Sequence, residues 1–211
     1  MNTDELIGLL TRDAPAGPPL GRRIANALIC AVALSALLLL ATIGPREDLA
    51  AALGTARVLF KIGFTALLAA CACALVFRVG MPGLPLAARA RMLLAPLALL
   101  LAGIVAELAV LPSGAWEASL IGRNAAFCLF FIPVLALAPL AALIWALRSG
   151  APERPGLAGA AAGLAAGGLA AALYAWHCPD DSPLFVATWY VIAMTIPTLA
   201  GWGIGRRILR W

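Results

Sequence analysis

The chain has 211 residues, of which 64% are hydrophobic and only 12% charged, and its mean hydropathy is +0.99. A water-soluble domain carries roughly twice that charged fraction, so a soluble globular fold is excluded. The net charge of +5 is spread over the ends of apolar runs, as membrane orientation requires, and gives no reason to expect direct binding to nucleic acid.

The N-terminal segment, "MNTDELIGLLTRDAPAGPPLGRR", differs from the rest. Asn2 or Thr3 can cap a helix, and Asp4 and Glu5 suit its positive end. Leu6, Ile7, Leu9 and Leu10 then form a short apolar face. The "APAGPP" that follows breaks the helix and extends the chain. A helix this short is marginal alone in water and needs a partner or a surface to order it. The acidic pair disfavours anionic lipid and favours a protein. Asp4, Glu5, Leu6, Ile7, Leu9 and Leu10 are therefore the candidate partner-binding residues. Residues 1–23 read as a tethered tail and 24–211 as a transmembrane domain.

Six apolar spans follow, over Ile24–Ile43, Arg57–Phe77, Met92–Leu111, Asn124–Leu147, Leu157–Trp176 and Leu184–Ile204. Each is close to the roughly 20 residues that cross a bilayer as a helix. The first lacks a small-residue cleavage site before its exit, so it reads as an uncleaved helix. The fold class is all-α, a polytopic bundle of six transmembrane helices. With the N-terminus inside, eleven of the fifteen Lys and Arg residues fall on the inner side and four (Arg46, Arg57, Lys61, Arg123) on the outer. That asymmetry predicts a cytoplasmic N-terminus and a cytoplasmic C-terminus. The connections 44–56, 112–123 and 177–183 then face outward.

Within the spans, Gly159, Gly163 and Gly167 repeat along one face of the fifth, and Gly201 and Gly205 along the sixth. Small residues at this spacing let helices approach closely in lipid. They predict packing within the bundle, with a homodimer through the same faces as the alternative. Pro96, Pro133, Pro139 and Pro197 are candidate kinks. Glu107 is the one carboxylate well inside a span, a costly placement that calls for a partner; Arg123 and His177 are the outer-side candidates.

Of five cysteines, Cys30, Cys71 and Cys73 read as apolar packing residues. Cys128, one turn into the fourth span, and Cys178, in the last outer connection, fall at nearly the same depth. Depth therefore permits them to meet, on a side where disulfides persist in a bacterial cell. Cys178 lies in "WHCPDDSP", residues 176–183, which also holds the single histidine. A nearby imidazolium lowers a thiol pKa. Asp181 or Ser182 can cap the sixth helix, with Pro183 at its first position. Asp180 is then free to act on His177 or on a cation. Cys128, Cys178, His177 and Asp180 form a candidate sensing site, and Cys128, His177 and Cys178 a candidate metal set. A polar capping turn, a catalytic site and a transport site stay open beside it. There is no HExxH, GxSxG, CxxC or second histidine, so zinc-protease, serine-triad and dithiol enzymes lack support.

The tail "TDELIGLL", the link "LRSGAP", the run "AGAAAGLAAGGLAAALYAWHC", the following "WY" and the final "GRRILRW" together resemble the NrsF family of bacterial inner-membrane anti-sigma factors. The resemblance covers nearly the whole chain and is densest from Leu147 to Trp211. It implies a non-enzymatic, multi-pass protein of the inner membrane, without a cofactor, embedded in the lipid bilayer. Its N-terminal segment, here Asp4 to Leu10, would hold an extracytoplasmic-function sigma factor. Cys128 and Cys178 would be needed for the response to oxidants or heavy metals that releases it. A small six-helix transporter or channel is the alternative, although no helix is visibly broken and no repeat relates the two halves.

Overall fold

A computed structural model describes residues 2–5, 8, 19–80 and 90–210. Six helices are long and apolar enough to cross a membrane: α1 (Leu20–Thr42), α2 (Ala56–Val79), α3 (Arg91–Val110), α4 (Ala125–Leu147), α5 (Pro155–Tyr174) and α6 (Pro183–Ile208). No strand occurs among the described residues. The expected spans are thus met with end shifts of a few residues. The largest are at the start of α1, which takes in Leu20 to Arg23 from the expected tail, and at the end of α6. Of the partner-binding set, Asp4 and Glu5 are exposed and helical, and the Glu5 amide donates to the Asn2 carbonyl at 3.1 Å. Leu6, Ile7, Leu9 and Leu10 lie outside the described residues.

The helices start and stop where local chemistry directs. Thr55 caps α2 by accepting from the Val58 amide. Ser182 caps α6 by accepting from the Leu184 amide, and Pro183 sits in its first turn; there a missing N–H costs nothing. Gly122, at φ +60°, makes the turn into α4 and lies against the Phe185 ring, so no side chain would fit there. Pro133 and Pro139 lie inside α4, and Pro197 inside α6. Residues Val186–Tyr190 of α6 form a π-helical turn, a widening that re-aims side chains and is frequent at functional sites.

The most buried helix is α5, which packs against α1, α2, α4 and α6. Its composition explains this: it is almost wholly Ala, Gly and Leu, so neighbouring backbones can come close on every side. A Cβ added at Gly159 would stand 2.0 Å from the Gly201 carbonyl oxygen, and one at Gly163 would stand 2.1 Å from that of Pro197. The two glycine faces therefore meet each other within one chain. The peripheral helix is α3, which leans on α2 and on the first turn of α6. Leucines such as Leu34, Leu37, Leu101 and Leu137 point outward, as lipid-facing positions do. Cys71 packs inside and Cys73 is half-buried, whereas Cys30 is exposed. The expectation that Cys30 is a packing residue is corrected: it faces outward from α1.

The two ends of the bundle differ. At one end, called the hub end, the 44–55, 111–124 and 175–182 connections gather. At the other, called the terminal end, the start of α1 meets the 148–154 link, where Arg23 donates to Ser149 at 2.8 Å, and α6 finishes.

Candidate functional site

The segment 176–183 is the centre of the hub end, and its polar residues reach the ends of several helices. The Trp176 carbonyl accepts from the Arg46 amide at 3.1 Å. His177 Nδ1 lies 2.8 Å from the Gly44 carbonyl, and its ring leans on Tyr174. The Cys178 carbonyl accepts from Lys61 Nζ at 2.6 Å. Asp180 Oδ2 accepts from the amides of Arg123 and Asn124 at 3.0 and 2.8 Å and from Asn124 Nδ2 at 3.0 Å. Asp180 thus caps α4, placing a negative charge at its positive end. Asp181 pairs with Lys61 and with Arg46, the latter at 2.8 Å. Ser182 donates to Glu107 at 3.1 Å.

Two of the expectations are overturned here. Asp180 is not free for the histidine or a cation, because the start of α4 uses it. Glu107 does not pair with Arg123 or His177. Its carboxylate, only 6% exposed, meets Arg57 of α2 at 3.0 Å, with Ser182 as a second donor.

Lys61 was not singled out from the sequence beyond its charge. It lies five residues into α2 and is fully buried. Its ammonium is neutralised by Asp181 and donates to the carbonyls of Cys178 and Asp180. A cation within a span rarely lacks a specific role, and that rule was the signal available. Arg46 extends the chain of charge: its side chain is 9% exposed and bridges Asp181 to Asp48. Asp48 and then Asp181 hold the Arg46 guanidinium above its usual range, against the opposing effect of burial. In return Arg46 draws Asp48 below the usual carboxylate range.

Beneath these ion pairs lies the thiol pair. Cys128 Sγ and Cys178 Sγ are 3.9 Å apart, both fully buried and both free. The walls are aromatic: Tyr174 stacks on Phe131 and tilts against Tyr190, which in turn meets Phe185 edge-on. Among the described residues the buried hydroxyls of Tyr174 and Tyr190 find no hydrogen-bond partner. The neighbouring Cys128 thiol pushes the Cys178 thiol below its ordinary pKa. The Lys61 charge works in the same direction, and burial opposes both. The thiolate is thereby favoured at Cys178, with Cys128 placed to meet it.

The structure brings Cys128 and Cys178 together and turns His177 Nδ1 to the Gly44 carbonyl. Among the described residues no three His, Cys, Asp or Glu side chains are gathered as a metal site. The candidate set of Cys128, His177 and Cys178 is accordingly not assembled as a three-ligand centre.

Comparison with known proteins fits this architecture. The family model for the negative regulator of sigma F matches residues 10–211. A curated protein of Azospira oryzae, "Probable anti-sigma-F factor NrsF", is 35% identical over the full length of both chains. The "Anti-sigma-F factor NrsF" of Caulobacter vibrioides is 36% identical, again over all of both. No solved structure matches the chain. A full-length relationship of this kind places the chain among regulators, not enzymes: it belongs to the NrsF family, the negative regulators of sigma F.

Proposed function

We propose that the chain is an anti-sigma factor of the bacterial inner membrane that holds an extracytoplasmic-function sigma factor through Asp4 to Leu10 and releases it when Cys128 and Cys178 react. The sigma-binding half rests on the full-length relationship to proteins named anti-sigma-F factors. The exposed acidic residues Asp4 and Glu5 on the N-terminal helical residues support it. Among the described residues nine Lys and Arg lie toward the terminal end and four toward the hub end, so that both termini face the cytoplasm, where a sigma factor is found. The hub end then faces the periplasm.

The single observation that carries the sensing half is the 3.9 Å approach of two buried free thiols at that end. An oxidant that removes two electrons and two protons joins them as a disulfide; a soft heavy-metal ion would bridge them as thiolates. Asp180, Asp181 and Arg57 line a polar surface pocket of about 400 Å³ that also touches Pro179, the residue next to Cys178. That pocket brings solvent to the residue beside Cys178, while the pair itself is buried behind it. Drawing Cys178 toward Cys128 moves a carbonyl that Lys61 holds, and so bears on α2, the α1–α2 connection and α6 together. A signal that favours one of two arrangements of the bundle in this way changes how the tail is presented.

The test is capture from detergent-solubilised membranes, comparing the intact chain with one lacking residues 2–10. Retention of a small sigma factor by the first alone supports the reading; its absence from both removes it. For the sensing half, a Cys128→Ser, Cys178→Ser chain should still hold the sigma factor but not release it on oxidation. Normal release by that variant would refute a role for the pair.

A further inference from the structure

Opposite the sensing end, α4 and α6 diverge and leave an apolar groove of about 360 Å³ at the terminal end. Leu140, Ile144 and Trp145 of α4 form one wall and Ile204 and Ile208 of α6 the other, with Arg148 at the mouth. Ile204 and Ile208 also border a second hollow, rimmed by Arg206, Arg207 and Arg210. Two exposed tryptophans mark the level of the membrane boundary: Trp145, one turn below Arg148, is 68% exposed, and Trp202 lies under the Arg206 guanidinium at 4.6 Å. Tryptophan concentrates at that level because its ring is apolar and its N–H polar.

The charge balance of the two ends is unequal. At the hub end Arg46, Arg57 and Lys61 each meet a carboxylate. None of Arg148, Arg206, Arg207 and Arg210 has an ion pair among the described residues. Arg148 at the mouth of the groove and three arginines on the rim of the adjoining hollow, none with an ion pair among the described residues, match a ligand with an anionic head and a long apolar tail. Basic pockets between transmembrane helices hold acidic headgroups in this way, and guanidinium pairs well with phosphate. A zwitterionic lipid would carry its own cation into the cluster.

We propose that the α4–α6 groove is a binding site for an acidic phospholipid, with an acyl chain along Leu140, Ile144, Ile204 and Ile208 and the phosphate on Arg148 and the arginines that end α6. The site is separate from the thiol pair and does not depend on the sigma-factor reading. It joins α4, which carries Cys128, to the last turns of α6, so its occupancy also fixes the end of the bundle nearest the tail.

The test uses the full chain, delipidated in detergent, with native mass spectrometry of added dioleoyl-phosphatidylglycerol against dioleoyl-phosphatidylcholine. Phosphatidylglycerol should be retained at least about tenfold better, since each arginine near an anionic surface contributes roughly a fivefold gain. Arg148→Gln with Arg207→Gln should remove most of that preference and leave phosphatidylcholine binding unchanged. Ala141→Trp, which fills the groove from an exposed position, should weaken both lipids. Unchanged melting temperatures would show that the variants are folded. Equal retention of the two lipids by the intact chain, or a preference that survives the arginine changes, overturns the proposal. So does full competition by glycerol 3-phosphate, which would mean that the groove takes no part. A chain lacking residues 2–10 should behave as the intact one; if only that chain binds the lipid, the tail is the occupant and the proposal fails.

Discussion

Ser35 Oγ of α1 donates to the Leu135 carbonyl of α4 at 2.8 Å, in the buried interface between the two helices. The Leu135 carbonyl is available because the residue four positions on is Pro139, which has no N–H to give it. The hydroxyl of one helix thus completes the ladder of another. An unsatisfied carbonyl in a membrane interior is costly, so this bond is one reason α1 stays against α4.

Ser35→Ala should lower the thermal stability of the detergent-solubilised chain by an amount corresponding to about 0.5–1.5 kcal/mol, the range for such bonds in membranes. The cost should shrink in a Pro139→Ala background, where the backbone amide at 139 can again serve Leu135. A double-mutant cycle separates this from packing effects. Equal costs in both backgrounds would show that the hydroxyl does not replace the missing donor.

The α5–α6 interface makes a sharper prediction, because backbone meets backbone there. A Cβ at Gly159 would fall 2.0 Å from the Gly201 carbonyl, and nothing at that contact is a flexible side-chain tip. Gly159→Leu should therefore destabilise beyond the roughly 1–3 kcal/mol usual for overpacking, and it should expose Cys178 to alkylation by separating the helices. Gly203, with nothing within 4 Å of its added Cβ, is the control: Gly203→Ala should be close to neutral. Melting in detergent and maleimide labelling read both variants.

Cys178 should react over a lower pH range than an ordinary thiol. The thiolate is the nucleophile. With its pKa depressed by the Cys128 thiol and then by Lys61, it is present at pH values where a free cysteine is still protonated. In a Cys128→Ala chain the largest depressing influence is gone while burial still raises the pKa, so the alkylation midpoint should move up. Asp180 and Asp181 on the loop, Lys61 on α2, Tyr174 on α5 and Tyr190 on α6 also face the pair and are retained in that comparison. The measurement is the rate of iodoacetamide modification at Cys178 against pH, by mass spectrometry. An unchanged or lowered midpoint would contradict the assignment.

The parts legible from the sequence and the parts missed have distinct physical causes. The six spans were readable because length and hydropathy are all that crossing a bilayer requires. The meeting of Cys128 and Cys178 was permitted by depth, since both sit near one end of their segments. Partners across the bundle were not readable. Glu107 was correctly seen as a buried acid, but its assignment to Arg123 or His177 failed because apolar residues surround each helix and hydropathy gives no rotational phase. Arg57, on the first turn of α2, is on the face that meets α3. The same limit hid Lys61, although a charge five residues into a span was itself a signal. Within "WHCPDDSP" adjacency misled. His177 and Asp180 are neighbours of Cys178 in sequence, but the turn sends one to Gly44 and the other to the start of α4.

Asp180 and Asp181 are adjacent but should behave differently on substitution. Asp180→Ala removes three bonds to Arg123 and Asn124, the two residues that lead into α4, and loss of a cap costs about 0.5–2 kcal/mol. Because Cys128 lies on the first turn of that helix, the thiol pair should also loosen, slowing diamide-driven disulfide formation. Asp181→Asn keeps its shape and leaves Lys61 with the two carbonyls, so the disulfide should still form. If Asp180→Ala oxidised at the intact rate, the cap would not be what holds Cys128 against Cys178.

Lys61→Met is the most consequential single change expected at the hub end. Asp181 would keep only Arg46, and the carbonyls of Cys178 and Asp180 would lose their shared donor. Breaking a buried ion pair from one side typically costs about 3–5 kcal/mol; Arg46 limits the charge left uncompensated, so the lower part of that range is expected. Lys61→Arg keeps the charge but puts a larger, planar group where a point-like ammonium serves three acceptors, so it should restore only part of the loss. If the proposed coupling of this turn to the tail holds, Lys61→Met should also capture less sigma factor without any oxidant, while a Gly203→Ala chain captures the normal amount. Melting in detergent and capture from membranes together decide it. A Lys61→Met chain that melts with the parent and holds the sigma factor equally well would show that the buried ammonium fixes neither the turn nor the response.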